Sequence, residues 1–361
     1  MSKLTISTTQ LQSLVNKASQ CVGANKLIPI TEKIGIKCSE IGLVLVTTDG
    51  VNTLSVSTPD VSSKESIDVT VLAETFSKLV NKTTTETITL EVDANSLTVT
   101  GNGSYKLALE LDDDGNLLSF PINDFALEYE EVGKITPSVV QIIQSSLKSS
   151  LSANAGTVYT NYYVGEFISA TDKSMLGLYA YNLFNAEETK FLWNARFVDL
   201  LAYAGEDTTL SYNADSKALI AKSQGFSLIT KAPTDCADYN IEGLKKMLSI
   251  SQDSFCKLRK KELLDALDRL ALFVSTYDDG AITLQFTPNS LKVSSLSTNG
   301  VETIDYTESK DAKDKTIKIN INRLISQLKS YTSDTVELYY GSDFCIKLVD
   351  GDITQVIALM R

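Results

Sequence analysis

The chain contains no histidine in 361 residues. That absence excludes Ser-His-Asp and Cys-His nucleophile pairs, HExxH sites and any His-ligated metal. Cysteine is scarce: Cys21, Cys38, Cys236, Cys256 and Cys345 are odd in number and show no CxxC spacing. They point away from a disulfide framework and a thiolate metal centre, and read as small buried hydrophobes. No apolar run approaches the roughly 18 residues that a membrane span needs. The opening "MSKLTISTTQLQSLV" lacks the basic-then-apolar order of a secretory signal. With 43% hydrophobic and 22% charged residues, the expectation is a soluble, cytoplasmic protein of two or three domains, without cofactor or metal. The net charge of -12 would, taken whole, repel nucleic acid.

What is present is a pattern of helices. Ser7 and Thr8 precede "TQLQSLVNKASQCVG", in which Leu11, Leu14, Val15, Ala18 and Val22 fall at helical spacing. "VLAETFSKLVNKTT" from Val71 places Leu72, Phe76, Leu79 and Val80 on one face. Thr136 and Pro137 open "SVVQIIQSSLKSSLS". Asn194 precedes "ARFVDLLAYAG", which Gly205 ends. "KKELLDALDRLALFV" from Lys260 and "INRLISQLKSYTS" from Ile321 complete six helices. Between them run short stretches alternating with period two, among them "KIGIKCS", "LVLVTT", "ETITLEV", "SLTVTG", "AITLQFT", "TVELYY" and "CIKLVD". These read as antiparallel strands with one buried face.

The order repeats. First helices begin near Leu11, Val139 and Leu263, and second helices are marked by Phe76, Phe197 and Leu324. Each second helix leads into a polar turn and a two-strand hairpin: "LVNKTTTETITLEVDANSLTVTG", "LLAYAGEDTTLSYNADSKALIAK" and "QLKSYTSDTVELYYGSDFCIKLV". Three copies of one unit follow, helix, strands, helix, strands, with boundaries at 1–123, 124–250 and 251–361. A short echo tests the register. "TTDG" at Thr47 to Gly50 resembles "ATDK" at Ala170 to Lys173. Taking "NYYVGEFIS" as one strand and "SMLGLYAYN" as its return puts "ATDK" at the turn between them. The place of "TTDG" then falls to Ala180-Tyr181-Asn182-Leu183, and in the third copy to "STNG" at Ser297 to Gly300.

Three copies of two helices on a curved sheet, "LIPITEKIGIKCSEIGLVLVTTDG" from Leu27, "FPINDF" from Phe120 and the closing "VIALMR" together resemble the bacterial DNA polymerase III beta sliding clamp, in a divergent or phage-encoded form. The resemblance covers the whole chain in order and length, and no single motif is diagnostic. It implies an α+β fold of three clamp domains, each with two helices packed on curved antiparallel sheets. It implies a closed ring, a head-to-tail homodimer around double-stranded DNA held without regard to sequence. It further implies tethering of a DNA polymerase and clamp loader through short linear peptides, with no catalysis and no membrane.

Charge offers a separate test. The helix segments 8–23, 71–84, 136–152, 194–205, 260–274 and 320–333 hold ten basic residues, Lys17, Lys78, Lys82, Lys148, Arg196, Lys260, Lys261, Arg269, Arg323 and Lys329, against five acids, a balance of +5. The remainder, with 23 basic and 40 acidic residues, stands at -17. Basic helices on an acidic protein fit a positive lining that touches phosphates without reading bases; Lys and Arg are also good helix formers that need no such role.

The resemblance carries two more sites. Its partner-peptide pocket maps to Val164, Tyr181, Leu183, Phe184, Val356, Ala358, Met360 and Arg361, with the largest departure from the family pattern at Tyr181 through Phe184. These residues also suit an ordinary apolar core. Ring closure maps to the strand "SYKLALEL", through Tyr105, Leu107 and Leu109, facing the helix end at Phe273 and Val274; packing within one chain is the alternative. Other motifs carry less. "LDDDGN" from Leu111 lacks the Glu twelve positions on and the flanking helices of a calcium loop, and "GNGSYK" from Gly101 has no following helix to make a phosphate loop. The rival from another class is a β-rich structural repeat protein, such as a virion component, that binds no DNA.

Overall fold

In the computed structural model the described residues are 2–23, 25, 27–63, 65–112, 114–232, 234, 236–297 and 299–361. Asp113 of "LDDDGN" and Thr298 of "STNG" lie outside them. The first copy runs β1 (Ser2–Ser7), α1 (Thr8–Ala18), β2 (Lys33–Ser39), β3 (Gly42–Thr48), β4 (Asn52–Thr58), β5 (Ile67–Leu72), α2 (Ala73–Lys82), β6 (Thr87–Val92), β7 (Ser96–Thr100) and β8 (Ser104–Ala108). The second runs β9 (Glu130–Ile135), α3 (Pro137–Ile142), β10 (Asn161–Val164), β11 (Ile168–Thr171), β12 (Met175–Tyr179), β13 (Phe191–Asn194), α4 (Ala195–Leu201), β14 (Thr208–Asn213), β15 (Ala218–Ser223) and β16 (Phe226–Lys231). After α5 (Ile241–Ser249), the third runs β17 (Ser254–Arg259), α6 (Lys260–Leu270), β18 (Ala281–Phe286), β19 (Ser290–Ser295), β20 (Val301–Asp305), β21 (Glu308–Lys310), β22 (Lys315–Asn320), α7 (Ile321–Ser330), β23 (Thr335–Tyr340), β24 (Cys345–Asp350) and β25 (Ile353–Ala358). With β21 as an addition, the order strand, helix, four strands, helix, three strands occurs three times.

The copies are joined through their sheets. One eight-stranded sheet has the order β5-β2-β3-β4-β16-β15-β14-β9, so the first copy meets the second where β4 pairs with β16. A nine-stranded sheet, β13-β10-β11-β12-β25-β24-β23-β17-β21, joins the second copy to the third where β12 pairs with β25. The chain accordingly packs as two compact units, Met1–Pro137 with Arg196–Ala232, and Ser138–Ala195 with Pro233–Arg361, and the middle copy contributes to both. Two four-stranded sheets remain, β1-β6-β7-β8 in the first unit and β20-β19-β18-β22 in the second.

Each helix buries one stripe. In α1, Leu11, Leu14, Val15 and Ala18 are buried; in α6, Leu263, Ala266, Leu267 and Leu270 are. Both are the i, i+3, i+4, i+7 sets that the sequence displays. Helix α3 is irregular, continuing through a π turn at Ile143–Leu147 into a 3-10 turn at Lys148–Ser150. Helix α5 has no counterpart among the six sequence-read helices. It is nine residues long, with Ile241, Leu244 and Leu248 at helical spacing, and only Leu244 is fully buried; the Asn240 side chain caps it by accepting from the Gly243 amide at 2.9 Å.

The segment "NYYVGEFIS" is two strands, β10 and β11, joined at Gly165 and Glu166, and Ala170 and Thr171 belong to β11. The echo is therefore a structural equivalence. At the β3–β4 turn, Asp49 Oδ1 accepts from the Val51 and Asn52 amides at 2.9 and 2.7 Å; Thr48 Oγ1 accepts from the Gly50 amide at 3.1 Å and donates to the Asn52 carbonyl at 2.7 Å. At the β11–β12 turn, Asp172 Oδ1 accepts from Ser174 and Met175 at 2.7 and 2.6 Å; Thr171 Oγ1 accepts from Lys173 at 3.0 Å and donates to Met175 at 2.6 Å. Gly50 has φ +92° and Lys173 φ +78°, so a lysine occupies a backbone conformation that glycine adopts freely. The expected equivalence of Ala180 to Leu183 with "TTDG" is overturned: those residues lie beyond β12. The third counterpart is found where the sequence placed it, between β19 and β20, with the Ser295 amide bonded to the Gly300 carbonyl.

Candidate nucleic-acid interface and peptide cleft

The ten helix cations divide by what they touch. Lys78, Lys82, Lys148, Arg196, Lys261, Arg269 and Lys329 are exposed, whereas Lys17, Lys260 and Arg323 are half-buried. Lys78 pairs with Glu74 one turn earlier. Arg269 makes a two-pronged bond to Glu302 at 2.8 and 2.6 Å, and Lys260 Nζ donates to the Tyr331 carbonyl at 2.8 Å beyond the end of α7. Arg196 lies 3.9 Å from Asp49, donates to the Gln20 carbonyl, and so ties α4 to the β3–β4 turn. Arg323 on α7 lies 3.9 Å from Asp172 and repeats that tie at the β11–β12 turn. Among the described residues Lys17, Lys82, Lys261 and Lys329 have no ion-pair partner. Five cations thus serve the protein's own packing, and among those without an ion-pair partner the exposed ones, Lys82, Lys261 and Lys329, offer their charge to an external phosphate, with Lys78 beside its glutamate.

The strand registers divide the candidate pocket residues between two faces of the nine-stranded sheet. Tyr163 pairs with Leu192 and Ser169, Leu176 with Val356, and Cys345 with Ala358. Cross-strand partners share a face and neighbours alternate, so these residues line one side. There Tyr163, Leu176, Leu192, Cys236, Tyr239, Leu244, Cys345 and Val356 form a buried apolar cluster, with Ile241, Met247 and Leu248 of α5 packed on it. Tyr163 lies 5.7 Å from Tyr239 and 5.3 Å from Phe167 between ring centroids. Lys347 Nζ donates to the Leu248 and Ile250 carbonyls at 2.6 Å each, holding the C-terminal end of α5 against the sheet. Burial pulls the Lys347 pKa down.

Val164 pairs with Phe191 on the opposite, helix-bearing face. Phe184 packs edge-on against Phe191 and Trp193 at 5.2 and 6.3 Å on that same side, and Tyr181 stacks on Tyr179 at 5.3 Å. Val164, Tyr181 and Phe184 are therefore not gathered with Val356 and Ala358, and Leu183 is buried. The cause is the register: reading one strand where there are two shifts the assignment past β12. The C-terminal residues do meet the "ATDK" turn, since the Ala358 amide donates to the Ser174 carbonyl at 2.9 Å. Met360 bridges to Lys318, and Arg361 is exposed. Tyr163, Leu176, Tyr239 and the whole of α5 escaped the sequence reading. Tyr163 stood beside residues that were chosen, and alternation across a correctly divided β10 would have selected it over Val164.

Of the candidate closure residues, Tyr105 is half exposed on β8, Leu107 is intermediate, and Leu109 is buried beyond the strand end. Phe273 is 53% exposed, whereas Val274 packs on the core of the third copy.

Residues 2–127 match the family described as DNA polymerase III beta subunit, N-terminal domain. No curated protein sequence matches the chain. Among solved structures, the chain is similar to the DNA polymerase sliding clamp from Bacillus subtilis (18% identity, 100% of this chain and 99% of that one, TM-score 0.84). It is similar also to the DNA polymerase beta subunit from Streptococcus pyogenes (17%, 99% and 100%, TM-score 0.85) and to the DNA polymerase III beta subunit from Thermotoga maritima (14%, 100% and 100%, TM-score 0.83). The fold expected from the sequence, α+β with three repeats in antiparallel sheets, is the fold of these clamps over the full chain.

Proposed function

We propose that this chain is a DNA sliding clamp: two copies close head to tail into a ring around duplex DNA and tether a replicative polymerase and its loader, without catalysis, in the cytoplasm. The segments 1–123, 124–250 and 251–361 are its three clamp domains. The observation that carries the reading is a pair of half-joints. Strand β20 holds in the third copy the place that β4 and β12 hold in the first two, and β8 holds the place of β16 and β25. Both internal joints pair those places, β4 with β16 and β12 with β25, while β20 and β8 terminate their own sheets. An unpaired apolar edge calls for a partner, and a second copy supplies the complementary edge twice, which closes the assembly.

Carrying over the internal register sets Ser104 opposite Val301 and Tyr105 opposite Gly300 of the second copy. Phe273 lies beside Gly300, so Tyr105, Leu107 and Phe273 form the apolar centre of the joint, and Leu109 and Val274 support it from their own cores. Lys82, Lys261 and Lys329 contact phosphates irrespective of sequence. A partner peptide docks beside the buried cluster of Tyr163, Leu176 and Val356, at the half-exposed Ala358 and Met360 and the exposed Arg361.

Sedimentation should give twice the chain mass, and the protein should stay on nicked circular plasmid and leave when the plasmid is linearised. A monomer that is not retained on circles overturns the ring. Loss of polymerase-peptide binding in Met360→Asp is the expected result for the cleft, and intact binding would exclude that residue from it.

A further inference from the structure

Each internal joint carries the same electrostatic tie. At the first, Arg196 Nε of α4 lies 3.9 Å from Asp49 Oδ2, and at the second, Arg323 Nη2 of α7 lies 3.9 Å from Asp172 Oδ2. The two aspartates use their oxygens alike: Oδ1 holds the amides of its own turn, and Oδ2 faces the arginine. Arg196 directly precedes Phe197, and Arg323 directly precedes Leu324, so both stand in the first turn of the second helix of their copy.

The corresponding positions of the third joint follow from the sheets. Continuing the strand registers places Leu72, Lys33 and Thr48 in one row of the first copy, Asn194, Asn161 and Thr171 in the same row of the second, and Asn320, Ala281 and Leu296 in that of the third. Asp49 and Asp172 each come one residue after their row, and in the third copy that residue is Ser297. On the other side, the joint between chains brings up α2, where the residue that precedes Phe76 is Thr75. Neither Thr75 nor any residue from Leu296 to Gly300 bears a charge. Thr75 and Ser297 are exposed, and Glu74 beside Thr75 is already paired with Lys78. Acid and base are missing together, so neither is left in the joint as an unpaired charge.

The internal joints are continued by the chain and stay closed for the life of the fold. The joint between chains has to part for duplex DNA to enter a ring, and an ion pair across it would add to the barrier. We infer that Thr75 and Ser297 leave the ring-closing joint untied, and that this missing pair sets how fast the ring opens. The inference rests on the ring reading above and adds to it a determinant outside the apolar centre of the joint.

The test is subunit exchange between donor-labelled and acceptor-labelled rings, followed by energy transfer, with sedimentation of the same samples. Thr75→Arg combined with Ser297→Asp should exchange about threefold more slowly than the two single variants together predict, the scale of a partly exposed ion pair. That excess should shrink with added salt. Thr75→Arg combined with Ser297→Arg should show no such slowing, and all variants should keep the parent unfolding midpoint because both positions are exposed. If the oppositely charged pair exchanges at the rate that the single variants predict, or the like-charged pair is slowed as much, the inference is wrong and the ring stands. If the unaltered chain sediments as a monomer and shows no energy transfer, the ring reading fails and takes this inference with it.

Discussion

The two internal joints occupy the same place in the fold and are built from opposite chemistry. Where β12 meets β25, Gln355 Nε2 donates to the Ser146 carbonyl at 2.8 Å and to Ser330 Oγ at 2.6 Å; Ser330 Oγ donates to the Gln327 carbonyl at 2.6 Å, and Gln327 Nε2 reaches Ser150 Oγ at 2.8 Å. All of these side chains are buried. In the first unit, the position of Gln355 relative to the turn and strand register is Leu228, and the positions seven and ten residues past the strand end, Gln327 and Ser330, are Leu201 and Ala204. These three are also buried, and none has a polar side chain. Topology therefore fixes which positions are buried, and leaves open whether apolar contact or hydrogen bonding fills them. The polar joint accepts fewer arrangements, because each amide demands a partner; two do not find one, the Oε1 atoms of Gln327 and Gln355.

Exchanging the chemistry between joints breaks the comparison most sharply. Leu228→Gln places an amide among apolar neighbours and loses a buried leucine, and should cost about 4 kcal/mol, read as a lowered denaturant midpoint. Gln355→Leu strips the Ser146 carbonyl and Ser330 hydroxyl of their donor but also removes one unpaired oxygen, so the expected cost is smaller, about 2 kcal/mol. If the two costs were equal, the joints would differ only in appearance. The repeated turns permit a gentler test. Lys173→Gly should stabilise the second unit by about 0.5–1 kcal/mol by removing strain at positive φ, whereas Gly50→Lys should destabilise the first. Reversing Lys82 and Lys261 to Glu should flatten the salt dependence of retention on circular DNA without shifting the unfolding midpoint, since each is exposed.

The smallest expected effect concerns Arg269 and Glu302. Hydrogen bonding to the arginine lowers the Glu302 pKa below its ordinary value near 4.5. A depressed carboxylate contributes stability that is present above the unfolded pKa and is lost as pH falls through the folded one. A slight fall in stability below pH 4.5 should therefore disappear in Glu302→Gln.

Much of the architecture was legible because the helical stripes are intact: the buried sets of α1 and α6 are those that the 3.6-residue period marks, whereas in α2 Phe76 and Val80 are buried as expected and Leu72, which ends β5, is exposed. The three-fold order survived for the same reason. What failed was local. The pair β10 and β11 are four residues each around Gly165, too short for alternation to reveal a boundary, so a register error of one strand put Tyr181 to Phe184 in the place that the β11–β12 turn holds. Helix α5 was missed although Ile241, Leu244 and Leu248 fall at helical spacing behind the Asn240 cap, because it has no counterpart in the other two copies and so lay outside the repeated order. The cation assignments were half legible: sequence counted the charges, and only geometry showed that Arg196, Arg323, Lys260, Arg269 and Lys78 already have partners.

The joints also set a schedule for synthesis. Strand β12 carries the apolar run Met175 to Tyr179 and waits for β25, which begins at Ile353; β4 waits similarly for β16. At elongation rates of roughly 5–20 residues per second, a gap of about 170 residues leaves each of these edges open for on the order of ten seconds or more. Nascent chains therefore pass through two intervals in which a bare strand edge can recruit a neighbour on the same polysome. Slowing translation should raise the insoluble fraction before any folded protein is destabilised.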